Sequence, residues 1–221
     1  MLYELHVISD GRMAPGALAE LAAAVQPMVD YIHLREKSMP ARELLAAVEL
    51  ILGAGVPPAK LVINDRIDVA LAAGAGGIQL AWHSLPPVAA RSIAPGLRLG
   101  CSVHSAEEAA QAGRQGADFC LYGHVFPTDC KPGLAARGLE QLAEAVRRSS
   151  VPLIALGGIT PGNAGAVLAQ GADGIAVMSG ICGAKDPAAA ARAYREAIHR
   201  ASGQADVPGP AQALGKGGDQ A

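Results

Sequence analysis

Gln170-Gly-Ala-Asp-Gly-Ile-Ala-Val177 is the stretch on which the fold turns. Helix-like sequence stops at Gly171, and an apolar run of strand length begins at Gly174. The same stop-and-start pattern stands at Ala73-Gly-Ala-Gly-Gly-Ile-Gln-Leu80 and at Gln115-Gly-Ala-Asp-Phe-Cys-Leu121. Glycine in that place suits the left-handed residue that commonly ends a helix. Outward from these three echoes, apolar runs recur at Tyr3–Ser9, Tyr31–Arg35, Lys60–Asn64, Gly77–Ala81, Arg98–Val103, Phe119–Val125, Pro152–Gly157 and Gly174–Met178. Between them lie alanine-rich segments with apolar residues three and four apart: Pro15–Met28, Pro40–Gly53, Ala106–Gln115, Leu139–Ser149, Pro161–Gln170 and Pro187–His199. Two shorter ones fall at Ile67–Ala73 and Leu85–Ala94. Near-continuous apolar strands alternating with helices imply a parallel sheet covered on its outer face, and eight βα units favour a closed α/β barrel, a (β/α)8 TIM barrel, over an open doubly wound sheet.

Size agrees with one such domain. The chain has 221 residues, close to the usual length of a single α/β barrel. We expect the barrel over residues 1–201 and a flexible tail over 202–221, where Gly, Pro and Gln replace the apolar pattern. Aromatics make up 3% of the chain and the net charge is −2, which leaves neither stacking platforms nor a cationic footprint for nucleic acid. Glu20, Asp30, Glu43 and Glu49 interrupt the apolar stretches before they reach the ~20 residues of a membrane span. The start, Met-Leu-Tyr-Glu-Leu-His-Val-Ile-Ser-Asp10, lacks the basic region of a signal peptide, so a cytoplasmic location is expected. Cys101, Cys120, Cys130 and Cys182 show no CxxC pair and no ligand-spaced histidine, which points away from both zinc and a disulfide framework. A small-molecule partner is expected, with no nucleic acid and no membrane, and a homo-oligomer is left open.

In a barrel the C-terminal strand ends face the mouth, where loop residues decide the reaction. Leu121-Tyr-Gly-His-Val-Phe-Pro-Thr-Asp-Cys-Lys-Pro-Gly133 delivers His124 to such an end and then breaks into a polar loop. An imidazole with a pKa near ~6.5 can take a proton and return it elsewhere at neutral pH, which suits an isomerisation. Gly157-Gly158-Ile159-Thr160 follows the seventh strand, and Ser179-Gly180-Ile181 follows the eighth. Those two loops are the usual phosphate site of such barrels, because glycines let backbone N–H groups approach an anion; tight turns alone would also use glycine. His33, Arg35 and Lys37 alternate along the second strand and so share one side, from which they can grip a carboxylate or phosphate. Asn64 and Asp65 close the third strand, and Ser102 and His104 the fifth; Asp65, His104 or Ser105 can instead cap the helices that follow.

At these strand ends the chain resembles the thiamine-phosphate-synthase superfamily, and within it the TenI-like thiazole tautomerase branch. The resemblance spans roughly residues 3–200 and is carried by Ile32-His-Leu-Arg-Glu-Lys37, Val62-Ile-Asn-Asp-Arg-Ile-Asp68, Ser102-Val-His-Ser105, Tyr122-Gly-His-Val-Phe-Pro-Thr-Asp-Cys-Lys131, Ala155-Leu-Gly-Gly-Ile159 and Ala176-Val-Met-Ser-Gly180. The synthase branch couples a pyrimidine pyrophosphate to a thiazole phosphate with magnesium held by aspartates. Where it carries Gly-Gln-x-Asp after the fourth strand, this chain has Ala81-Trp82-His83-Ser84, and His124 stands in place of a proline. The resemblance therefore implies a thiazole tautomerase that converts an exocyclic-alkene thiazole carboxylate phosphate to its aromatic isomer, with no cofactor and no metal. His124 would carry both proton transfers, Gly157, Gly158, Ser179 and Gly180 the phosphate, and Arg35, Lys37, Asn64, Ser102 and Lys131 the rest of the substrate. Two alternatives stay open: a thiamine-phosphate synthase with an altered magnesium site, and a non-catalytic regulator that binds a thiazole phosphate.

Overall fold

The computed structural model describes residues 3–128, 130 and 133–203. In chain order the elements are β1 (Glu4–Ile8), α1 (Pro15–Val25), β2 (Tyr31–Leu34), α2 (Ala41–Gly53), β3 (Leu61–Asn64), α3 (Ile67–Ala72), β4 (Gly77–Leu80), α4 (Pro87–Ile93), β5 (Arg98–Val103), α5 (Ala106–Arg114), β6 (Phe119–Gly123), α6 (Gly138–Arg148), β7 (Leu153–Leu156), α7 (Ala164–Leu168), β8 (Gly174–Val177), α8 (Ser179–Cys182) and α9 (Pro187–Ala201). All strand pairs are parallel, and β1 pairs with β8, so the sheet closes into the expected (β/α)8 barrel. The expected tail falls on residues 202–221, and 204–221 lie outside the described residues.

Period-two alternation sorts the strand residues into two cores. Leu5, Val7, Ile32, Leu34, Leu61, Ile63, Ile78, Leu99, Tyr122, Leu153 and Ile175 face outward and pack under the helices in one large cluster. Ile8, Phe119, Leu121, Ile154 and Ala176 form a second cluster inside the barrel. Gly100 shows how full that interior is: a Cβ there would stand 2.2 Å from the Phe119 ring and 2.3 Å from Gln79 Oε1. The barrel is thus a packed core rather than a pore, and only its mouth is available for a ligand.

The aspartates of the repeated Gly-Ala-Asp pattern have a structural task. Asp118 Oδ2 accepts from the Leu99 N–H at 2.7 Å, and Asp173 Oδ2 accepts from the Leu153 N–H at 2.8 Å. Asp30, just before β2, does the same for Leu5 at 2.7 Å. Each carboxylate therefore ties the entry of its own strand to an N–H near the start of the preceding one, a charge-assisted bond worth about 1.5–3 kcal/mol. Arg195 of α9 reaches Asp30 and Arg91 of α4 reaches Asp118, both at 2.6 Å, which docks those helices at the same end. In the third copy of the pattern Gly76 takes the aspartate position, because a Cβ there would lie 2.5 Å from the Ala59 carbonyl oxygen.

Local chemistry accounts for the helix ends. Ser105 caps α5 by accepting from the Glu108 N–H, and Asp186 caps α9 by accepting from the Ala189 N–H, with Pro187 in the first turn. Two expectations change. α7 starts at Ala164 rather than Pro161, because the Asn163 side chain accepts from Thr160 N–H (2.8 Å) and donates to Gly158 O (3.0 Å), holding a turn in front of the helix. α8 is an unexpected single turn, since Ser179-Gly-Ile-Cys182 has the composition of a loop. None of the described helices is long and apolar enough to cross a membrane.

Candidate active site

A cavity of about 940 Å³ opens at the C-terminal ends of the strands. It gathers His124, Arg35, Lys37, Asn64, Ser102, Gly157, Gly158, Ser179 and Gly180, the expected site residues that are described. Lys131 lies outside the described residues. His33 does not line the cavity: it is fully buried below the mouth, one interior position deeper on β2 than Arg35.

His124 follows the last residue of β6 and is 2% exposed. It seats on Gly157, where an added Cβ would come within 2.3 Å of His124 Cβ, and Gly157 sits at φ +98°. Strand-like pairing continues past β6 through Val125 N–H to Leu156 O (2.9 Å) and Phe126 N–H to Gly157 O (3.0 Å). Arg137 donates from its N–H to His124 O and from Nε to Gly123 O, both at 3.0 Å, so the loop returns and clamps the histidine backbone. The ring nitrogen Nε2 lies 3.2 Å from the Leu134 carbonyl. A carbonyl only accepts, so Nε2 donates to it, and Nδ1 is buried without a protein partner.

The glycine loops after β7 and β8 lie beside it. Gly157 and Gly158 both have positive φ, and a Cβ on Gly158 would reach within 2.5 Å of Pro127 O. Gly180, the second residue of α8, lies against Tyr194, whose hydroxyl would meet a Cβ there at 2.2 Å and donates to Ile159 O at 3.0 Å. Tyr194 therefore holds the loops after β7 and β8 in one unit, with Thr160 and Ser179 on the cavity wall. The glycines serve both turn geometry and close packing.

A second, cationic end comes from Arg35 and Lys37 after β2 and from Arg12 after β1. Ser9 Oγ accepts from the Arg35 N–H at 2.8 Å and donates to Glu36 Oε1 at 2.6 Å, which occupies the acid next to Arg35 with a neighbouring hydroxyl. Sequence reasoning missed Arg12, although Ser9-Asp10-Gly11-Arg12 occupies the same strand-end position as the other mouth loops.

Asp65 also belongs to the site. The residue at the N-cap of α3 is Arg66, and Asp65 instead lines the cavity at φ +63°, accepting from Ser84 Oγ and from His83 Nε2 (3.3 Å). His104 and the 87% exposed Trp82 complete that rim. No cluster of three or more His, Cys, Asp or Glu occurs among the described residues. Magnesium, however, is commonly held by one or two carboxylates together with substrate phosphates, and Asp65 at the mouth supplies one hard oxygen donor. The donors present thus fit a magnesium ion that arrives with a diphosphate. The buried thiols do not compete as nucleophiles: burial pushes Cys101 up to about 11 and Cys120 and Cys182 up to about 12.

A closed eight-stranded barrel whose mouth is lined by glycine loops after β7 and β8 and by three cationic side chains after β1 and β2 is a frame that phosphate-handling enzymes use. The family model described as thiamine monophosphate synthase matches residues 5–181, and the chain belongs to that family. A thiamine-phosphate synthase of Methanoculleus marisnigri is 41% identical over 217 residues, covering 92% of this chain and 99% of that protein. One from Moorella thermoacetica is 43% identical over 195 residues, covering 86% and 88%. Among solved structures, a thiamine phosphate pyrophosphorylase of Pyrococcus furiosus superposes with a TM-score of 0.78 at 36% identity, covering 90% of this chain and 96% of that one.

These relatives overturn the thiazole tautomerase expectation and the isomerase class that went with it: proteins matched along nearly their whole length are synthases. The expectation rested on His124 and on Ala81-Trp82-His83-Ser84, a few mouth side chains, whereas the likeness to synthases extends over about nine-tenths of the chain. Asp65 supplies the physical reason for the correction, since the carboxylate taken for a possible helix cap faces the cavity.

Proposed function

We propose that this chain is a thiamine-phosphate synthase, joining a pyrimidine pyrophosphate to a thiazole phosphate with loss of inorganic pyrophosphate. The observation that carries this reading is one cavity lined by glycine loops on one side and by Arg12, Arg35 and Lys37 on the other. A coupling enzyme that takes a diphosphate and a monophosphate needs two places for anions, and these two sides can provide them. The volume, near the top of the ~300–1,000 Å³ range of ligand pockets, leaves room for two rings.

In this reading Gly157, Gly158, Ser179 and Gly180 hold the thiazole phosphate by backbone N–H groups. Arg35 and Lys37, with Arg12, take the diphosphate, and the arginines can do so bidentately. Asp65 would hold magnesium, which supplies charge neutralisation on the departing diphosphate. Asn64 and Ser102 lie on the wall beside the pyrimidine, and His124 forms part of the wall between the two ends. Holding two reactants in line accounts for much of the rate of such a coupling, since orientation alone contributes up to ~7–11 kcal/mol.

The test is a product assay with purified protein, both substrates and magnesium, repeated with EDTA. Formation of thiamine phosphate that stops with EDTA supports the reading; no product at saturating substrates overturns it.

A further inference from the structure

Ala81-Trp82-His83-Ser84, after β4, makes a tight turn at the rim of the cavity. Ser84 holds it in three ways: its N–H donates to Ala81 O at 3.0 Å, its Oγ accepts from the Ala81 N–H at 2.7 Å, and the same hydroxyl donates to Asp65 Oδ1. The two middle residues project from the turn. His83 Nε2 lies 3.3 Å from Asp65 Oδ2, and the Trp82 and His83 rings meet edge to face, with centroids 5.3 Å apart at 81°. The indole therefore stands one imidazole away from Asp65 and lines the same cavity as that carboxylate, Arg35 and Lys37.

This setting is at odds with the side chain's own chemistry. Tryptophan is highly buried on average, yet this one, the only tryptophan in the chain, is 87% exposed. Leu85 just before α4 and Val88 and Ile93 within it are exposed too, but none of them lines the cavity. An edge-to-face contact with His83 uses at most one face of the indole, so a face is left for a further ring. Strand order says which ring. In the closed eight-stranded barrel β4 stands opposite β8, so Trp82 lies across the mouth from the glycine loops and on the side of the cationic residues. A phosphate offers an indole nothing to stack on, whereas a nitrogen heterocycle presents a flat π-face whatever its hydrogen-bonding edge.

We propose that Trp82 is a binding residue for the pyrimidine substrate: with the diphosphate held by Arg35, Lys37 and Asp65, the indole closes over one face of the pyrimidine ring and selects a planar heterocycle on that side of the mouth. This rests on the coupling reading for the identity of the ring. The place of the indole beside Asp65 does not.

Because the chain has a single tryptophan, its emission reports on this residue alone. Adding the pyrimidine pyrophosphate to the full chain with magnesium, and without thiazole phosphate so that nothing turns over, should quench that emission saturably; inorganic pyrophosphate should leave it unchanged. Equal quenching by inorganic pyrophosphate, or a pyrimidine substrate that binds by calorimetry with the emission unaltered, overturns the proposal. So does emission that shifts with protein concentration before any ligand is added, which would mean that a second copy of the chain covers the indole. Trp82→Ala should raise the Kd for the pyrimidine pyrophosphate by about fivefold to a hundredfold, the size of one lost base–aromatic stack, while the Kd for thiazole phosphate holds. Trp82→Phe, which keeps a π-face, should recover most of that loss. Equal losses for both ligands, no loss, or no difference between the two variants refutes the contact; matching urea midpoints confirm that these exposed-site variants fold. Quenching without any coupled product would sink the coupling reaction and leave the aromatic contact standing, coupled product without quenching would sink the contact alone, and no calorimetric binding of the pyrimidine pyrophosphate would sink both.

Discussion

Replacing Gly157 with alanine should be among the most costly single-atom additions at the mouth. Two effects add. At φ +98° an L-residue is strained by about 1–3 kcal/mol. The new Cβ would also lie 2.3 Å from His124 Cβ and 2.7 Å from its Cα, against a comfortable carbon–carbon separation of ~3.5–4.0 Å. The neighbour is backbone and the root of a side chain clamped by Arg137, so it cannot swing aside, and overpacking of this kind costs about 1–3 kcal/mol. The expected loss is therefore roughly 2–6 kcal/mol, a Tm drop of ~5–20 °C for a domain of this size. Gly116→Ala is the control: its φ is +91° and nothing lies within 4 Å of the added Cβ, so it carries the backbone strain without the collision. Urea unfolding of the two variants isolates the packing contribution as their difference, expected at about 1–3 kcal/mol. If Gly157→Ala loses no more than Gly116→Ala, His124 is not seated on the β7 loop, and the arrangement of the mouth drawn above is wrong.

Arg35→Gln should raise KM for the pyrimidine pyrophosphate by about tenfold to a hundredfold, as expected for a lost charge-assisted bond, and leave the thiazole phosphate KM within about twofold in steady-state assays. Asp65→Asn should weaken magnesium binding, read as a higher magnesium concentration for half-maximal coupling rate, with thiazole phosphate binding by calorimetry unchanged. Asp118→Ala removes the acceptor of the Leu99 N–H and should cost about 1.5–3 kcal/mol in urea unfolding, whereas Arg91→Ala, losing mainly a half-exposed ion pair, should cost less than ~1 kcal/mol beyond its backbone contacts. Stability should fall as the solution is acidified below about pH 6.5, because His6 and His33 have lowered folded values, so the unfolded chain binds protons first; each such group contributes a slope of up to ~1.4 kcal/mol per pH unit. Glu4, also lowered, adds to the loss only below about pH 4.5, and a flat unfolding midpoint between pH 6.5 and 5 would contradict the neutral, buried rings.

The barrel was readable because its repeat is written twice, once in periodicity and once in Gly-Ala-Asp. Periodicity says only that a strand follows a helix; the aspartate, bonding the N–H of the preceding strand, says that the strands are neighbours. That second message becomes legible only with coordinates, since a carboxylate before a strand has the same appearance whether it faces a backbone amide or water. α8 escaped notice because a single helical turn has no room for a period, and Arg12 because one arginine after a glycine carries no pattern. Asp65 was ambiguous for a different reason: cap residues and ligand-facing residues at a strand end are chemically the same, and only the placement of Arg66 at the helix entry separates them. The reaction is not legible in His124, because one side chain at a strand end says less about chemistry than likeness along nearly the whole chain.

The interior side chains divide the barrel in a way that bears on how two substrates share one mouth. Strands β2 to β5 contribute His33, Asn64, Gln79 and Ser102, with Gln79 Nε2 donating to Ser102 Oγ at 3.0 Å. Strands β6 to β8, together with the end of β1, contribute Phe119, Leu121, Ile154, Leu156, Ala176 and Ile8. One half of the floor can therefore exchange hydrogen bonds with an amino-substituted ring, and the other offers apolar surface to a ring with fewer donors. The cationic residues rise from β1 and β2, next to the polar half, and the glycine loops rise from β7 and β8, above the apolar half. In the proposed coupling, the cationic side would sit over the floor suited to an aminopyrimidine and the glycine loops over the floor suited to a thiazole. The two rings would then meet where the polar and apolar halves adjoin, and His124, at the end of β6, stands on the apolar side of that border.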